Sequence, residues 1–536
     1  MTTIVQFVRR CSAARTRATW CVFAIVAVVL EALQPIPVRA AAPTLPTDFS
    51  DSVLASGLDL PTGIAEVPDP LSITDRRVLF VEQGTARVGL VVRGTVYTVG
   101  TVPGVAFTGE RGLLGVVVDP GWPARPYLYV HCNDQRSANR IAVSRFTVTG
   151  DLAFSGTGQL AFDAATRYDL RKDFPDDASN HNGGTVRFGV DGKLYVSLGD
   201  DAVACNSQVL TIAAGKILRL DVSRLPASGS GPAPYALLAP ADNPFAANAD
   251  SVARLVYAEG LRNPFRFTVD PATNALVVGD VGGGNYEEMD LVPVGGMDFG
   301  HPFYEGPNPS STCTLTPPAP LVGPITWYPH PDGFAIIGGP RYRIPAASGP
   351  RFPAEYDGDI FFLDYYSGFM RRVKQSGANW SPQAAPGQPN ATDWAIGMED
   401  VSDLIEASDG SFWYCRQSEG NALTGEIRRI AYAGLVSVPP AALPTLTLAA
   451  PRPNPARDGA AIAWTQPRAA RVKLQIYAAD GHRVRTLLDT AVATGGPHEA
   501  AWDGRDDGGR RMHAGIYFVR LAVDGEVHGT RLSLLR

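Results

Sequence analysis

The sequence is short of charge, and neither sign of charge dominates it. Charged residues make up 19% of its 536 residues, and the formal net charge is −6. A chain of this kind lacks the broadly basic surface on which nucleic-acid binding depends, so we exclude nucleic acid as its partner. The 45% of hydrophobic residues are enough for a large buried core and exclude a disordered chain.

Long uninterrupted apolar or helical stretches are also missing. The 55 glycines and 44 prolines argue against long helices, and after residue 40 no segment is apolar enough to cross a bilayer. Residues 1–40 carry four arginines ahead of a short apolar run and end in Val38-Arg39-Ala40. They predict a cleaved signal peptide and an exported protein, with a twin-arginine signal at Arg9-Arg10 as the less favoured form.

Cysteine is scarce, and it falls in no metal or haem pattern such as CxxC or CxxCH. Two of the six cysteines lie in the predicted signal peptide; the other four are Cys132, Cys205, Cys313 and Cys415. These four can form two disulfides in three possible pairings, or remain buried thiols.

A short unit returns six times between residues 50 and 432: a turn rich in Asp, Gly or Pro, then a strand of aromatic and branched residues. The six strands begin at Val78, Tyr127, Lys193, Ala275, Asp359 and Ser411. Because a four-stranded blade takes roughly 40 to 50 residues, the repeat predicts an all-β fold with a six-bladed β-propeller over 50–432. A β-sandwich explains so long a repeat less well.

The composition of the chain changes after the predicted propeller. Residues 433–450 form a proline-rich segment, which predicts a stiff linker. Residues 451–536 alternate apolar and polar positions between turns such as Asp480-Gly481, which predicts a small immunoglobulin-like β-sandwich.

His181 is the first candidate catalytic residue. It lies in a glycine-rich run at 180–184, ahead of a predicted hairpin that ends at Asp200. A histidine can take a proton near neutral pH, and Asp200 could orient it and stabilise its charged form. A structural histidine is the alternative interpretation.

Two further motifs predict binding. Arg262-Asn263, held by Pro264, could grip an anionic planar ligand, unless the arginine is tied to a neighbouring blade. The glycines at 282–284 leave backbone carbonyls unshielded, and hard cations such as Ca²⁺ favour such oxygens; a flexible turn is the alternative.

Together with the run at 109–115, these motifs resemble the glucose/sorbosone dehydrogenase family, which consists of exported six-bladed propellers that use pyrroloquinoline quinone (PQQ). The resemblance covers about residues 50–432. It implies that a sugar or related alcohol is oxidised by hydride transfer to the quinone, with His181 as general base and Asp200 as its partner. A separate electron acceptor is then needed, because the sequence has no haem motif.

The resemblance also implies ligands for PQQ and Ca²⁺. Arg262 and Asn263 match quinone contacts, Gly282 and Gly283 match carbonyl ligands of one Ca²⁺, and Glu288, with the turn near Phe299, matches a second, structural Ca²⁺ site. Arg111 stands where family enzymes carry Gln and could add an anion contact. Arg343 is a further candidate for the quinone carboxylates, as are, by position alone, Arg341, Arg371 and Arg372.

The tail resembles the immunoglobulin-like module of the flagellar hook-capping protein and of type IX secretion sorting tails, on motifs that include Trp502-Asp503-Gly504. This implies contact with secretion or surface-anchoring machinery. The main alternative function is a non-catalytic, calcium-stabilised propeller that binds carbohydrate or protein at the cell surface. A hydrolytic propeller such as a lactonase fits less well.

Overall fold

The computed structural model describes residues 41–68, 76–137, 139–310, 313–316, 320–345, 351–417, 423–433, 446–466, 470–493, 496–523 and 526–535. The predicted signal peptide at 1–40 and most of the predicted linker at 433–450 lie outside the described residues. Between residue 41 and the last described residue, no described helix is long and apolar enough to span a bilayer.

The first of the two parts is built from six sheets arranged as blades. The strands of blade six are β1 (Phe49–Leu58) and, from the other end of the propeller sequence, β26 (Val401–Glu406), β27 (Phe412–Arg416) and β28 (Gly425–Tyr432). Blade one has β2 (Pro61–Val67), β3 (Arg77–Glu82), β4 (Arg87–Val92) and β5 (Thr95–Thr101). Blade two has β6 (Leu113–Val118), β7 (Tyr127–Asp134), β8 (Arg140–Gly150), β9 (Leu160–Phe162) and β10 (Tyr168–Phe174).

The remaining blades follow the same order. Blade three has β11 (Val186–Phe188), β12 (Leu194–Leu198), β13 (Lys216–Leu220), β14 (Val256–Glu259) and the edge strand β18 (Met297–Asp298). Blade four has β15 (Arg266–Val269), β16 (Leu276–Asp280), β17 (Tyr286–Val292) and β21 (Thr326–Pro329), and blade five has β22 (Ile336–Arg341), β23 (Ile360–Asp364), β24 (Met370–Ser376) and β25 (Asn379–Pro382). The strands β19 (Tyr304–Glu305) and β20 (Asn308–Pro309) form a small hairpin. The described helices are single turns: α1 (Tyr235–Leu238) and 3₁₀ turns at Gln135–Ser137, Ala164–Thr166, Ala204–Gln208, Ala253–Leu255 and Ala354–Tyr356.

The ring is closed by the two ends of the propeller sequence. Strand β1 runs antiparallel to β28, from the pair Phe49 and Tyr432 to the pair Leu58 and Gly425. Both Arg428 and the hydroxyl of Tyr414 donate to the carboxylate of Asp51 on β1. The predicted six-bladed propeller is confirmed, and each of the six predicted strands is the second strand of a blade.

A fully buried arginine holds the innermost strands together. Arg266 on β15 donates through Nη2 to the carbonyls of Thr62 (2.6 Å) and Leu114 (3.0 Å), and through Nε to that of Ser402 (2.7 Å). These carbonyls belong to blades one, two and six. Beside it, Asp403 accepts from Arg187 of blade three at 2.7 Å. The centre of the ring is therefore a polar network that links five of the six blades.

Arg266 separates two pockets at opposite ends of the central channel. The strand-start pocket is lined by residues at or before the beginning of innermost strands, among them Thr62, Leu114 and Asn263. The strand-end pocket is lined by residues at or after their ends, among them Thr268 and Arg343. Residues that lie at opposite ends of the channel therefore do not line the same pocket.

The tail has two facing sheets. One contains β29 (Thr447–Leu448), β30 (Ala460–Gln466) and β33 (Gly496–Trp502); the other contains β31 (Ala470–Ala478), β32 (Arg483–Ala493), β34 (Gly515–Val523) and β35 (Glu526–Leu534). Trp502 is buried against Tyr517, with ring centroids 5.1 Å apart. The predicted immunoglobulin-like sandwich is confirmed.

One disulfide joins Cys205 to Cys313, while Cys132 and Cys415 are buried free thiols. Of the two disulfides that the sequence allows, the structure thus contains one.

Replacing Arg266 by Met should destabilise the protein by about 3 to 5 kcal/mol, because four backbone carbonyls lose a buried charged donor and buried Asp403 loses a positive charge 3.8 Å away. The free energy of unfolding is measured by denaturant titration of the full chain. As a control, Arg125→Met removes a half-exposed arginine from Asp119, which keeps the donors Gly121 N–H and Tyr129 O–H, and should cost only about 1 kcal/mol. Equal effects of the two substitutions would contradict the central role of Arg266.

Candidate active site

His181 lies beside the strand-start pocket, next to the lining residue Glu110, and its backbone is held in place by a strained conformation and a close approach. Its φ is +57°, a left-handed conformation that non-glycine residues rarely adopt. Its backbone N–H donates to Oε2 of Glu110 at 2.8 Å. Its carbonyl packs so closely on Gly199 that a Cβ there would lie 2.0 Å from the oxygen, so position 199 requires glycine.

Hydrogen bonds on both ring nitrogens fix the protonation of His181. Its Nδ1 lies 2.7 Å from Oδ1 of Asp200, and its Nε2 lies 2.9 Å from Nη2 of Arg262. A guanidinium can only donate, so Nε2 must accept, and the ring proton must be on Nδ1, where it is donated to Asp200. The arrangement holds a neutral imidazole with its basic lone pair on Nε2.

Asp200 also accepts a hydrogen bond from a second histidine, which the sequence did not reveal. Nε2 of His301 lies 3.0 Å from Oδ2 of Asp200, on the oxygen that His181 leaves open. Burial alone would raise the pKa of Asp200, but the hydrogen bonds from His181 and His301 hold it well below its ordinary value. No motif marks His301, because it lies 101 residues after Asp200 and meets it only through the fold.

Asp280 fixes the two residues predicted to grip a ligand. Its carboxylate accepts the backbone N–H of Arg262 at 2.9 Å and that of Asn263 at 2.7 Å. Nη1 of Arg262 donates to the carbonyl of Val281 at 2.8 Å, and Oδ1 of Asn263 accepts the N–H of Gly183 at 3.1 Å. The structure therefore brings His181, Asp200, Arg262 and Asn263 together.

The strand-start pocket beside these residues has a volume of about 330 Å³. Asn263 and Glu110 form part of its wall, and the exposed rings of Phe107 and Tyr366 lie at its mouth. Among the described residues that line it there is no Lys or Arg. The wall is thus aromatic and amide-rich, with one carboxylate.

The structure corrects the placement of Arg111. Its guanidinium is buried and donates to the carboxylate of Asp176 at 2.9 Å and to the carbonyls of Asp176 and Ala178. Its Nε and Nη2 are engaged by these partners, and it is not among the residues that line the strand-start pocket. The preceding residue, Glu110, lines the pocket instead, and the sequence analysis missed it.

Arg343 also differs from expectation. It lies in the strand-end pocket, on the other side of Arg266, where it forms two hydrogen bonds with Asp270 at 2.6 and 2.9 Å. It follows the end of β22, and the ends of innermost strands face away from His181. The other candidates are also engaged: Arg341 lines the strand-end pocket, Arg371 pairs with Asp393, and Arg372 pairs with Asp359.

The glycine run is organised around one carboxylate. The N–H groups of Gly283, Gly284 and Asn285 all donate to Oε1 of Glu305, at 2.7 to 2.9 Å. In a trans peptide the carbonyl points away from the following N–H. The carbonyls of Gly282 and Gly283 consequently point away from Glu305, as a carbonyl cation site requires.

Buried carboxylates lie on the two strands that flank this run. Asp280 and Glu288 are opposite each other on β16 and β17, and Asp290 follows on the same face. Asp290 is fully buried, and neither of its carboxylate oxygens has a hydrogen-bond donor. Burial, and then the charge of Asp280, raise the pKa of Glu288 to about 8. Among described residues no three acidic, His or Cys side chains converge as a metal-ligand group, so a cation here also needs carbonyl oxygens.

Comparison with known families accounts for both parts of the chain. The family model of glucose/sorbosone dehydrogenase matches residues 65–320, and that of the FlgD Ig-like domain matches residues 454–526. Residues 65–320 are therefore similar to the glucose/sorbosone dehydrogenase family, and this matched part, called the glucose/sorbosone dehydrogenase domain below, contains His181, Asp200, Arg262, Asn263 and the glycine run.

Curated relatives are similar to only part of this chain, and the chain covers only part of each of them. The HIPL2 protein of Arabidopsis thaliana is 31% identical over 251 residues, which are 42% of this chain and 34% of that protein. Aldose sugar dehydrogenase YliI of Escherichia coli is 27% identical over 267 residues, 48% of this chain and 63% of that protein. The chain thus spans between about a third and just under two thirds of these two relatives.

A solved structure agrees in fold. The PQQ-bound form of an aldose sugar dehydrogenase from Streptomyces coelicolor superimposes with a TM-score of 0.51 at 22% identity, covering 72% of this chain and 99% of that one. This likeness supports the propeller architecture of the glucose/sorbosone dehydrogenase domain.

Both predicted cation sites have donors that fit a hard cation. The carbonyls of Gly282 and Gly283 supply neutral oxygens of the type that Ca²⁺ prefers at the first site, and Glu288 and Asp290 supply buried carboxylates at the second, which a cation would keep ionised.

Calcium should therefore raise the melting temperature of the chelator-treated full chain, and Asp290→Asn should remove most of that rise. The asparagine should also raise the melting temperature in chelator, because it removes one of three repelling carboxylates. Without a cation, stability should fall as the pH rises from about 4.5 to 8, because folded Glu288 keeps a proton that the unfolded chain has lost.

These values are measured by differential scanning fluorimetry at constant ionic strength. Asp506→Asn, in the tail, is the control and should respond to calcium like the unaltered chain. An unchanged calcium response in Asp290→Asn would contradict the assignment.

Proposed function

We propose that the protein is an exported, PQQ- and Ca²⁺-dependent dehydrogenase that oxidises an aldose sugar or a related alcohol. The observation that carries this proposal is the ring of His181, beside the strand-start pocket, with its Nδ1–H donated to Asp200 and its unprotonated Nε2 against Arg262. The family match and the relatives named aldose sugar dehydrogenase support the same activity.

The residues of the chain would act on the hydroxyl group of the sugar. Arg262 donates to Nε2 of His181 in the structure and would have to turn from it toward the quinone. The hydroxyl would then donate to Nε2 and give up its proton there as the carbon becomes a carbonyl. The charge that this proton brings to the ring is stabilised by Asp200 through Nδ1–H. Bound PQQ supplies the two-electron acceptor that takes the hydride from the same carbon.

Arg262 and Asn263 would hold the quinone, and the carbonyls of Gly282 and Gly283 would hold Ca²⁺ against it. Since the described pocket wall offers no Lys or Arg but does offer Glu110, the carboxylates of the quinone would meet little positive charge beyond that of Arg262, which lies beside this wall. Quinone binding should therefore depend strongly on the cation.

The reaction would also need a separate electron acceptor that reoxidises the quinone, since the sequence has no haem motif. The immunoglobulin-like tail would engage secretion or surface-anchoring machinery, in keeping with its FlgD Ig-like match.

A second candidate function is a non-catalytic propeller that binds a neutral carbohydrate. The exposed rings of Phe107 and Tyr366 and the lack of Lys or Arg on the described wall favour it. Sugar oxidation that requires His181 would support the dehydrogenase, whereas binding of sugar without any oxidation would support the non-catalytic propeller.

The mature protein, reconstituted with PQQ and Ca²⁺, should reduce a dye in the presence of aldoses. His181→Ala should abolish the reaction, and Asp200→Asn should lower kcat by roughly 10²- to 10⁴-fold, because the protonated ring loses the carboxylate that stabilises its charge. His513→Ala, an exposed site in the tail, is the control. Sugar-dependent turnover that survives His181→Ala would refute the role of His181.

Glu110→Gln should tighten PQQ binding by roughly tenfold, equivalent to about 1.4 kcal/mol, because it removes a negative charge from the pocket and keeps the acceptor for the N–H of His181. The dissociation constant is measured by absorbance titration in Ca²⁺, without substrate. Glu499→Gln, on the exposed surface of the tail, should leave it unchanged. Weaker binding in Glu110→Gln would mean that Glu110 aids the ligand rather than repelling it.

A further inference from the structure

His301 is fixed at the site by its backbone. It follows β18, and its N–H donates to the carbonyl of Gly260 at 2.9 Å. Its own carbonyl accepts from the hydroxyl of Ser207 at 2.7 Å and from the side-chain amide of Gln208 at 2.8 Å. With three such bonds, the loop has little freedom to carry its ring away from Asp200.

The ring of His301 completes the hydrogen bonding of Asp200. Oδ1 of Asp200 accepts from Nδ1 of His181 at 2.7 Å and from the N–H of Ala202 at 2.8 Å. Oδ2 accepts from Nε2 of His301 at 3.0 Å. All three side chains are largely buried, with 3% of the Asp200 side chain, 12% of that of His181 and 16% of that of His301 exposed.

The second contact matters because a carboxylate turns easily. The terminal torsion of aspartate is broad, so bonds to one oxygen alone leave the plane of the group poorly defined. A donor on the other oxygen, from a different loop, removes that freedom. The plane of Asp200 then stays aligned with the N–H of His181.

We propose that His301 is a positioning residue: its hydrogen bond to Oδ2 locks the carboxylate of Asp200, and this keeps Oδ1 aligned with the Nδ1–H of His181. The effect on turnover rests on the proposed function. The effect on the Nδ1–H hydrogen bond does not, because that bond exists in the protein without cofactor or substrate.

The test compares three substitutions in the full chain. His301→Gln keeps a donor near the position of Nε2, His301→Leu has similar size but no donor, and His301→Asn has the same amide on a shorter side chain. Melting temperatures identify the variants that fold. If His301→Leu fails to fold, His301→Asn takes its place, because its amide falls short of Oδ2.

The first measurement is the NMR shifts of the His181 ring near pH 8 and the exchange of its Nδ1–H with water, assigned with His181→Gln. We expect a slowly exchanging Nδ1–H in the unaltered chain and in His301→Gln. In His301→Leu or His301→Asn we expect this proton to exchange faster, although Nδ1 stays protonated because Arg262 still donates to Nε2. An unchanged exchange rate in a folded variant without the donor would overturn the proposal.

The second measurement is sugar oxidation by the reconstituted protein. Loss of the donor should lower kcat by about ten- to a hundredfold with KM little changed, and His301→Gln should restore most of kcat. Equal losses in His301→Gln and His301→Leu would overturn the proposal, because the donor would then not matter. If the unaltered chain oxidises no sugar, the proposed function fails, and the exchange of the Nδ1–H alone decides the role of His301.

Discussion

The architecture depends on one buried guanidinium. Arg266 reaches from blade four to backbone carbonyls of blades one, two and six, and its neighbour Asp403 binds Arg187 of blade three. A charge so deeply buried is tolerated only when its donors are satisfied, so the surrounding strands must keep their positions. Burial lowers the pKa of Arg266 only to about 10, and the group stays charged at neutral pH.

The closed ring explains why distant motifs meet. Within an antiparallel blade, the start of the first strand and the end of the second lie at the same end of the channel. His181 precedes the first strand of blade three and Asp200 follows its second strand; Arg262 precedes the first strand of blade four and Val281 follows its second. The same rule removes Arg343 from the site, because it follows a first strand.

The sequence predicts the propeller well but its innermost strands poorly. The second strands carry aromatic and branched residues after Asp-Gly or Asp-Pro turns, which are local signals. The innermost strand of blade three, in contrast, has only the three residues Val186–Phe188, too few to show a period. Ring closure by β1 and the contact between His301 and Asp200 are non-local, so no pattern in neighbouring residues predicts them. For Arg111, the position next to the pocket was foreseen, but the direction of its side chain depends on Asp176.

The central claim is that a sugar hydroxyl meets Nε2 of His181 in the strand-start pocket. A crystal structure of the mature protein with PQQ, Ca²⁺ and an aldose tests this most directly. The account predicts the reactive hydroxyl of the sugar within about 3 Å of Nε2, at the end of the channel where Arg262 and Asn263 lie. Sugar bound in the strand-end pocket, or bound with its hydroxyls far from His181, would contradict it.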